Sequence, residues 1–575
     1  MLVKRNTVFS IVIASALVLI AARFVAPFEV GKDQSSQLEA AQNLVQGRGL
    51  TTTNDVPPAS FDITVDPQPR YLTWWPPGFS IILAAFLELG LSLLLSLKLI
   101  YAATTLLGWI GWGIILSQFV KEPLSIGGRQ FPTHVVIAAL APIFFTLGWD
   151  GTDIFLWAGI PFVFLALVKQ SERQASYLTA AVAGLLFGAL YAVRYSSLFL
   201  GLAGLLILVQ VRFPDYKDSL KRFAIFLASS LTLILPTYLY SKFYAVGTGG
   251  IADRATLSRF TSSLSVVIRN MSQKLYISAN MIFGIPLPDQ IIFKLNSTVL
   301  FYVSGIICAG ILLIVPLLLI RNRQRDGQPF QSDRAFSLWL LPISLLGFLI
   351  GINLAVRLGL LGIKRYYEPL ALAGFLVFYQ LATIRKINPV TTFVARAVVV
   401  AFVLYVCVYM PVQAFLPERN GFLVETVLGY VPSKNVRYRG TSYKLSYPSF
   451  MMFSSKESSK RKLKELAVAD PKALFFVEEY ACFTYDRFQQ GGPVLGKTMR
   501  IFPTTDYWKQ AHTSTPVRVY WVLNEQTDLN FVQPANQKLV YIDPVEQTKI
   551  LVSEFPASYR FGDESKGQFV AGLHD

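Results

Sequence analysis

An aspartate, Asp33, stands just past the first apolar run of the chain. A carboxylate within hydrogen-bonding reach of an attacking hydroxyl or amine can accept its proton. Further polar groups break the hydrophobic sequence later on. They are Asp150 and Asp153 in Gly148-Trp149-Asp150-Gly151-Thr152-Asp153, the dipeptide Arg194-Tyr195, and the run Lys364-Arg365-Tyr366-Tyr367-Glu368. Arginine can grip phosphate oxygens in pairs with its planar fork, and lysine adds a point charge. A base with several cations is the set needed to move a group from a lipid phosphate to an acceptor. The leaving phosphate is already acidic, so it requires cations and no general acid. On this reading Asp33 and Asp153 are the catalytic candidates. Arg194, Tyr195, Lys364, Arg365, Tyr366 and Asp150 are the substrate-binding candidates.

Each residue also has a plainer reading. A loop aspartate is ordinarily solvated. Asp153 has the residue type favoured at the start of a helix. Arg194 and Arg365 have the length to reach lipid headgroups as anchors. Trp74 and Trp75 suit a membrane-interface belt.

The elements that hold these residues are read from the apolar pattern. Of 575 residues, 53% are hydrophobic and 15% charged, against about 25% charged in soluble domains. Apolar runs of span length recur from Val8 to about Gln413, and the rest reads as globular sequence. The spacing predicts an all-α polytopic membrane bundle of about 11 transmembrane helices with a small C-terminal α/β soluble domain. Expected spans are 7–26, 92–119, 132–148, 153–168, 177–193, 196–211, 223–242, 298–320, 335–355, 368–384 and 391–413. Residues 76–90 are apolar yet shorter than the roughly 20 residues of a span, and are expected as a re-entrant or surface helix. The Lys4-Arg5 start resembles a signal peptide, but no convincing cleavage site follows, and it is expected to stay as the first span.

Domain bounds follow. Residues 1–415 form the transmembrane part, with a first outer loop over 27–91 and a second long loop over 243–297, and 416–575 form the soluble domain. With 76–90 not crossing, Lys4/Arg5, Lys121/Arg129, Lys169/Arg173, Arg212–Arg222, Arg321–Arg334 and Arg385/Lys386 share one side. The positive-inside rule makes that side the cytoplasm. The N-terminus is then cytoplasmic, the protein sits in the plasma (inner) membrane, and Asp33 and the C-terminal domain are extracytoplasmic. In the C-terminal region Ser458–Ala469 reads as a basic amphipathic helix, and Leu474–Glu478, Val517–Leu523 and Leu539–Ile542 as strands.

The net charge of +17 lies in short loops between spans, where it contacts anionic lipid, so no nucleic-acid partner is expected. Cys308, Cys407 and Cys482 build neither a disulfide framework nor a metal cluster.

Taken in order, Lys32-Asp33, Ala41-x-Asn43-Leu44-x-x-Gly47-x-Gly49-Leu50, Trp75-Pro76-Pro77-Gly78, Gly151-Thr152-Asp153, Arg194-Tyr195 and Arg365-Tyr366-x-x-Pro369 resemble the GT-C membrane glycosyltransferases. The branch is the bacterial one that includes protein O-mannosyltransferase-like and aminoarabinose transferase-like enzymes. The resemblance covers residues 1–415. It implies a polyprenyl- or dolichyl-phosphate-linked sugar as donor, a lipid, glycan or protein acceptor, and inverting transfer on the outer side. It also implies that Asp33 activates the acceptor and that Asp153 is the second acidic position. Gln34 departs from the glutamate many relatives carry, and Trp75 from the lysine of the aminoarabinose branch. Relatives that bind a divalent metal use more acidic groups than this chain offers, so no metal and no cofactor beyond the donor lipid is assigned. The rival readings are a transporter or lipid flippase, for which no internal repeat is found, and a non-catalytic assembly or sensor protein.

Overall fold

The structure is a computed structural model that describes residues 5–200 (without 27, 31, 53–60, 65–69, 74, 121, 127, 150 and 170–175), 216–244, 345, 364–383, 389–404, 407–408, 433–438, 441–446, 451–452, 457–477, 498–500, 511–525, 529 and 536–561. The expected span 298–320, all of 335–355 but residue 345, and nearly all of the 243–297 loop lie outside these residues. The chain forms two compact units. The first comprises Met1–Ala26, Ile100–Tyr240 and Ala252–Gly429, and the second Pro27–Leu99, Ser241–Ile251 and Tyr430–Asp575.

The first unit is helical. Its elements are α1 (Arg5–Val25), most of α4 (Leu93–Phe119), the hairpin β5 (Leu124–Ile126) and β6 (Arg129–Phe131), α5 (Thr133–Phe144), α6 (Asp153–Lys169), α7 (Tyr177–Val193), a 3₁₀ turn (Tyr195–Leu200), α8 (Tyr216–Tyr244), α9 (Lys364–Thr383) and α10 (Pro389–Leu404). Among the described residues three helices are long and apolar enough to cross a membrane: Asn6–Val25, Leu93–Phe119 and Leu220–Tyr244. One of the expected spans is shorter as a helix. α5 stops at Phe144 rather than running to 148, because Pro142 and the Thr146 hydroxyl, which donates to the Pro142 carbonyl, turn the chain there. Of 391–413, α10 to Leu404 and a π-helical pair at 407–408 are described, and of 196–211 only the 3₁₀ turn. α9 instead begins four residues early, so Lys364, Arg365 and Tyr366 lie in its first turns rather than in a loop.

Packing follows from residue size. The buried indoles Trp109, Trp112 and Trp157 fill the space between α4 and α6, where Gly108 leaves room for the Trp157 ring. α7 carries small residues every fourth position, at Ala180, Gly184 and Gly188, a spacing that brings helix backbones close in membranes. A methyl group on Gly184 would overlap the Phe226 carbonyl oxygen of α8, and one on Gly188 would stand 2.7 Å from the Ser230 carbonyl. Gly184→Val is therefore expected to lower stability by about 1–3 kcal/mol, the usual cost of overpacking. A thermal melt of the purified protein in detergent reads this out, and a melt equal to wild type would refute the close packing of α7 on α8.

The second unit joins the segment after α1 to the C-terminal region. It contains β1 (Glu29–Val30), α2 (Lys32–Val45), β2 (Thr51–Thr52), β3 (Phe61–Asp62), β4 (Arg70–Tyr71) and α3 (Gly78–Glu88) from the N-terminal side. From the C-terminal side come β7 (Ser433–Tyr438), β8 (Thr441–Ser446), β9 (Met451–Met452), α11 (Glu457–Ala469), β10 (Leu474–Val477), β11 (Thr498–Arg500), β12 (Ala511–His512), β13 (Val517–Asn524), β14 (Lys538–Asp543) and β15 (Thr548–Phe555). Five strands form a mixed sheet in the order β11-β10-β13-β15-β14, with β10 parallel to β11 and β13 and the remaining pairs antiparallel. α11 starts where the Glu546 carboxylate accepts the backbone N–H groups of Ser458 and Ser459, at 2.7 and 2.8 Å.

The sequence places the division between domains at 415/416. In the structure residues 27–99 group instead with 430–575. Two-residue ladders make the join: β1 pairs antiparallel with β9, and β3 pairs parallel with β12. Ile63 is fully buried in the hydrophobic cluster built by Leu474, Phe476, Trp521, Phe555 and Phe561. α3 has 11 residues, about 17 Å at 1.5 Å per residue, roughly half of the hydrocarbon thickness and too short to cross it.

Beside the β3–β12 ladder, Asp62 Oδ1 accepts from Thr64 N at 2.8 Å, Thr64 Oγ1 at 2.6 Å and Ser514 N at 3.2 Å. Burial pushes this carboxyl upward, but the hydrogen bonds from Ser514 and Thr64 outweigh it and hold the pKa at about 2, below the ordinary 3.8. A depressed carboxylate contributes stability that is present above its unfolded pKa and is lost as pH falls through the folded one. The join is therefore expected to weaken between about pH 4 and 2, by roughly 1 kcal/mol at this half-exposed site. Hydrogen exchange of the Ile63 and Thr513 amides should show the acid-dependent opening, and Asp62→Ala should show the same opening already at neutral pH.

Candidate functional site

Two groups of polar residues stand out, one in each unit. In the first unit Trp149 and Gly151 are fastened to α4. Tyr101 OH donates to the Gly151 carbonyl at 2.8 Å, and Trp149 Nε1 donates to Thr105 Oγ1 at 3.0 Å. Gly151 has φ +65°, a conformation that glycine adopts without strain. The turn delivers Asp153 as the first residue of α6, where a carboxylate also suits the positive end of the helix.

α7 ends at Val193, and Arg194 is the single extended residue between it and the 3₁₀ turn, with its N–H held by the Leu190 carbonyl at 2.7 Å. The extended backbone turns the Arg194 side chain towards α6. Its Nε lies 2.9 Å from Asp153 Oδ1, and its Nη1 donates to Thr152 Oγ1 at 3.2 Å. The Nε contact is a charge pair rather than an aligned hydrogen bond. Arg194 is 5% exposed and Asp153 3%. A guanidinium this deeply buried loses most of its hydration, and the facing carboxylate balances it. Tyr195, half-buried, packs its ring on Tyr191 with centroids 5.4 Å apart. The hydroxyls of Ser196 and Ser197 follow, buried and without a hydrogen-bond partner in the structure.

In the second unit Asp33 lies in the first turn of α2, directly after the β1–β9 ladder that fixes the incoming chain. The helix is largely buried. Leu38, Ala40 and Ala41 are buried, and so are Gln34, Ser36, Gln37, Glu39, Gln42 and Asn43. Two of these polar side chains find partners across the loop: Thr52 Oγ1 donates to Glu39 Oε2 at 2.8 Å, and Asn43 Nδ2 donates to the Thr51 carbonyl at 2.8 Å. Ser80 of α3 donates to the Gln37 carbonyl at 2.9 Å. Among the described residues after α1, α2 packs against α3 and β2.

Of the residues expected from sequence, Asp153, Arg194 and Tyr195 come together in the first unit. Lys364, Arg365 and Tyr366 occupy the start of α9, and Asp33 the start of α2. Asp150 and Trp74 lie outside the described residues, and Trp75 is half-buried. Among the described residues no group of three or more His, Cys, Asp or Glu side chains is arranged as a metal site. Sequence reasoning did not single out Tyr101, Ser196, Ser197 or Gln37. A Ser-Ser pair directly after Arg194-Tyr195 in apolar sequence is the one available signal among them.

No protein-family model matches the sequence, and no curated protein matches it. Solved structures do resemble the chain along almost its whole length, among them two of ArnT. ArnT from Cupriavidus metallidurans bound to undecaprenyl phosphate is 12% identical, with 96% of this chain and 98% of that chain covered at a TM-score of 0.48. The apo state of the same protein is 13% identical, with 94% and 97% covered at a TM-score of 0.36. Likeness at this level assigns no residue and no activity to the present chain.

Proposed function

We propose that this protein is an integral-membrane glycosyltransferase that moves a sugar from a polyprenyl-phosphate carrier to an acceptor on the extracytoplasmic side. The observation that supports it most is the buried Arg194 guanidinium, held by Asp153 and Thr152 at the end of an apolar helix. Ionisable groups in membrane helices are costly, and as a rule they are kept for a function.

In the proposed reaction Asp33 accepts the proton of the acceptor hydroxyl or amine as its oxygen or nitrogen attacks the anomeric carbon. The bond from that carbon to the phosphate oxygen breaks, and its electron pair leaves with the lipid phosphate. Attack opposite the leaving group inverts the anomeric centre. Arg194, oriented by Asp153, contributes positive charge to the leaving phosphate, and Lys364 and Arg365 add to it from the first turn of α9, where backbone N–H groups also favour an anion. Tyr195, Tyr366 and Asp150 are assigned to substrate binding. The basic loops put the N-terminus in the cytoplasm and the C-terminal region outside.

A donor screen tests this. Purified full-length protein is given undecaprenyl phosphate, the lipid bound in the ArnT structure, carrying mannose, glucose or aminoarabinose, together with a membrane-lipid extract as acceptor. Release of the free lipid phosphate together with a newly glycosylated product is expected for one donor. Movement of intact donor across vesicles without release would favour a flippase.

A further inference from the structure

We infer that Gln37 binds the sugar of the donor, its buried carboxamide exchanging hydrogen bonds with a sugar hydroxyl. The inference rests on the glycosyl-transfer reading above and names the part of the donor that one further residue recognises. Gln37 is 1% exposed, and neither Oε1 nor Nε2 has a hydrogen-bond partner in the structure. Buried polar atoms of native proteins are nearly always paired, and an unpaired one calls for an explanation.

The contrast within α2 sharpens the point. Glu39 and Asn43, equally buried, are satisfied by Thr52 and Thr51. Gln37 is held only through its backbone, by the Ser80 hydroxyl, which fixes the turn while engaging neither end of the carboxamide. Gln37 is also four residues after Asp33, one helical turn along, so the two positions share a face of α2. The position of the proposed base is therefore one turn before an unsatisfied donor–acceptor pair on the same helix.

The chemistry of the pair selects the ligand. A phosphate only accepts hydrogen bonds, so it would satisfy Nε2 and leave Oε1 unpaired. A sugar hydroxyl both donates and accepts, and neighbouring hydroxyls on a ring can meet both atoms of one carboxamide. A neutral amide also adds no charge that would compete with the base.

Gln37→Leu gives opposed outcomes for a structural and a binding role. Removing an unpaired buried amide for an apolar side chain of similar size is neutral or stabilising. Losing two hydrogen bonds to substrate raises the donor KM by about ten- to a hundredfold. The experiment uses full-length protein and the donor turned over in the screen, with the bare carrier phosphate as a second ligand and Gln37→Met as a second, unbranched variant. The expected result is a melting temperature equal to or above wild type, a raised donor KM, and affinity for the bare carrier phosphate within about twofold of wild type. An unchanged donor KM in either folded variant overturns the inference, and so does equal weakening towards donor and bare carrier. If Asp33→Asn abolishes turnover while Gln37→Leu is fully active, the inference fails alone. If no donor is turned over at all, the glycosyltransferase reading fails and the inference falls with it.

Discussion

Asp33→Asn is expected to leave the full-length protein folded and to lower transfer from a polyprenyl-phospho-sugar by about 10²- to 10⁴-fold. That range corresponds to about 3–5 kcal/mol of transition-state stabilisation. The substitution keeps the shape of the side chain and removes only its ability to hold the acceptor's proton. Asparagine is as acceptable as aspartate at a helix start, so α2 (Lys32–Val45) keeps its first turn. The deficit should fall on kcat, with the donor KM close to wild type, because the lost interaction exists only as the proton moves. A second signature is the pH profile. A base works deprotonated, so the wild-type rate climbs with pH along an acid limb, and the residual rate of Asp33→Asn should lack that limb. Full turnover by a folded Asp33→Asn protein would remove Asp33 from the mechanism and leave the reaction, if present, to another group.

The legible parts of the fold are those whose cause is local. α4 (Leu93–Phe119) was expected over 92–119 because an apolar run of that length has few other uses. α6 starts at Asp153 because a glycine turn and a capping-type residue stand together there, and α7 ends at Val193 before a charged residue. The strands Leu474–Val477 and Val517–Asn524 were visible as short runs rich in β-branched and aromatic residues. What could not be read depends on partners far away in the chain. α2 is rich in glutamine and carries a glutamate, yet Glu39 is buried against Thr52 and Asn43 against Thr51. Composition cannot reveal that a buried polar group has been satisfied. The ladder joining Phe61–Asp62 to Ala511–His512 is two residues long, too short to carry any period, and its partners are about 450 residues apart. The site divides in the same way. The residue types Asp153 and Arg194 were apparent from their positions at the ends of apolar runs. Their pairing was not, because it depends on how α6 lies against α7, which Gly159 permits by leaving room for Leu190.

That pairing leads to the largest expected effect on stability. Arg194→Met leaves the Asp153 carboxylate buried with its cation removed, and Asp153→Asn leaves the guanidinium in the same position. Breaking a buried pair from one side costs about 3–5 kcal/mol, much of it the penalty of the stranded charge. The double variant Asp153→Asn with Arg194→Met strands no charge, so it should be more stable than either single change, and the two costs should not add. Unfolding midpoints of the four proteins in one detergent give the coupling directly, and additive costs would mean that the 2.9 Å contact is not an energetic pair. Activity then separates architecture from chemistry. If the pair only braces α6 against α7, the stable double variant regains transfer. If Arg194 stabilises the departing phosphate, the double variant folds and remains slow. Arg194→Lys adds the last discrimination. It keeps the charge but loses the planar fork that reaches Asp153 and Thr152 together. A lysine variant that folds but transfers slowly would assign the role to the fork's geometry, since the charge alone would then be present and insufficient.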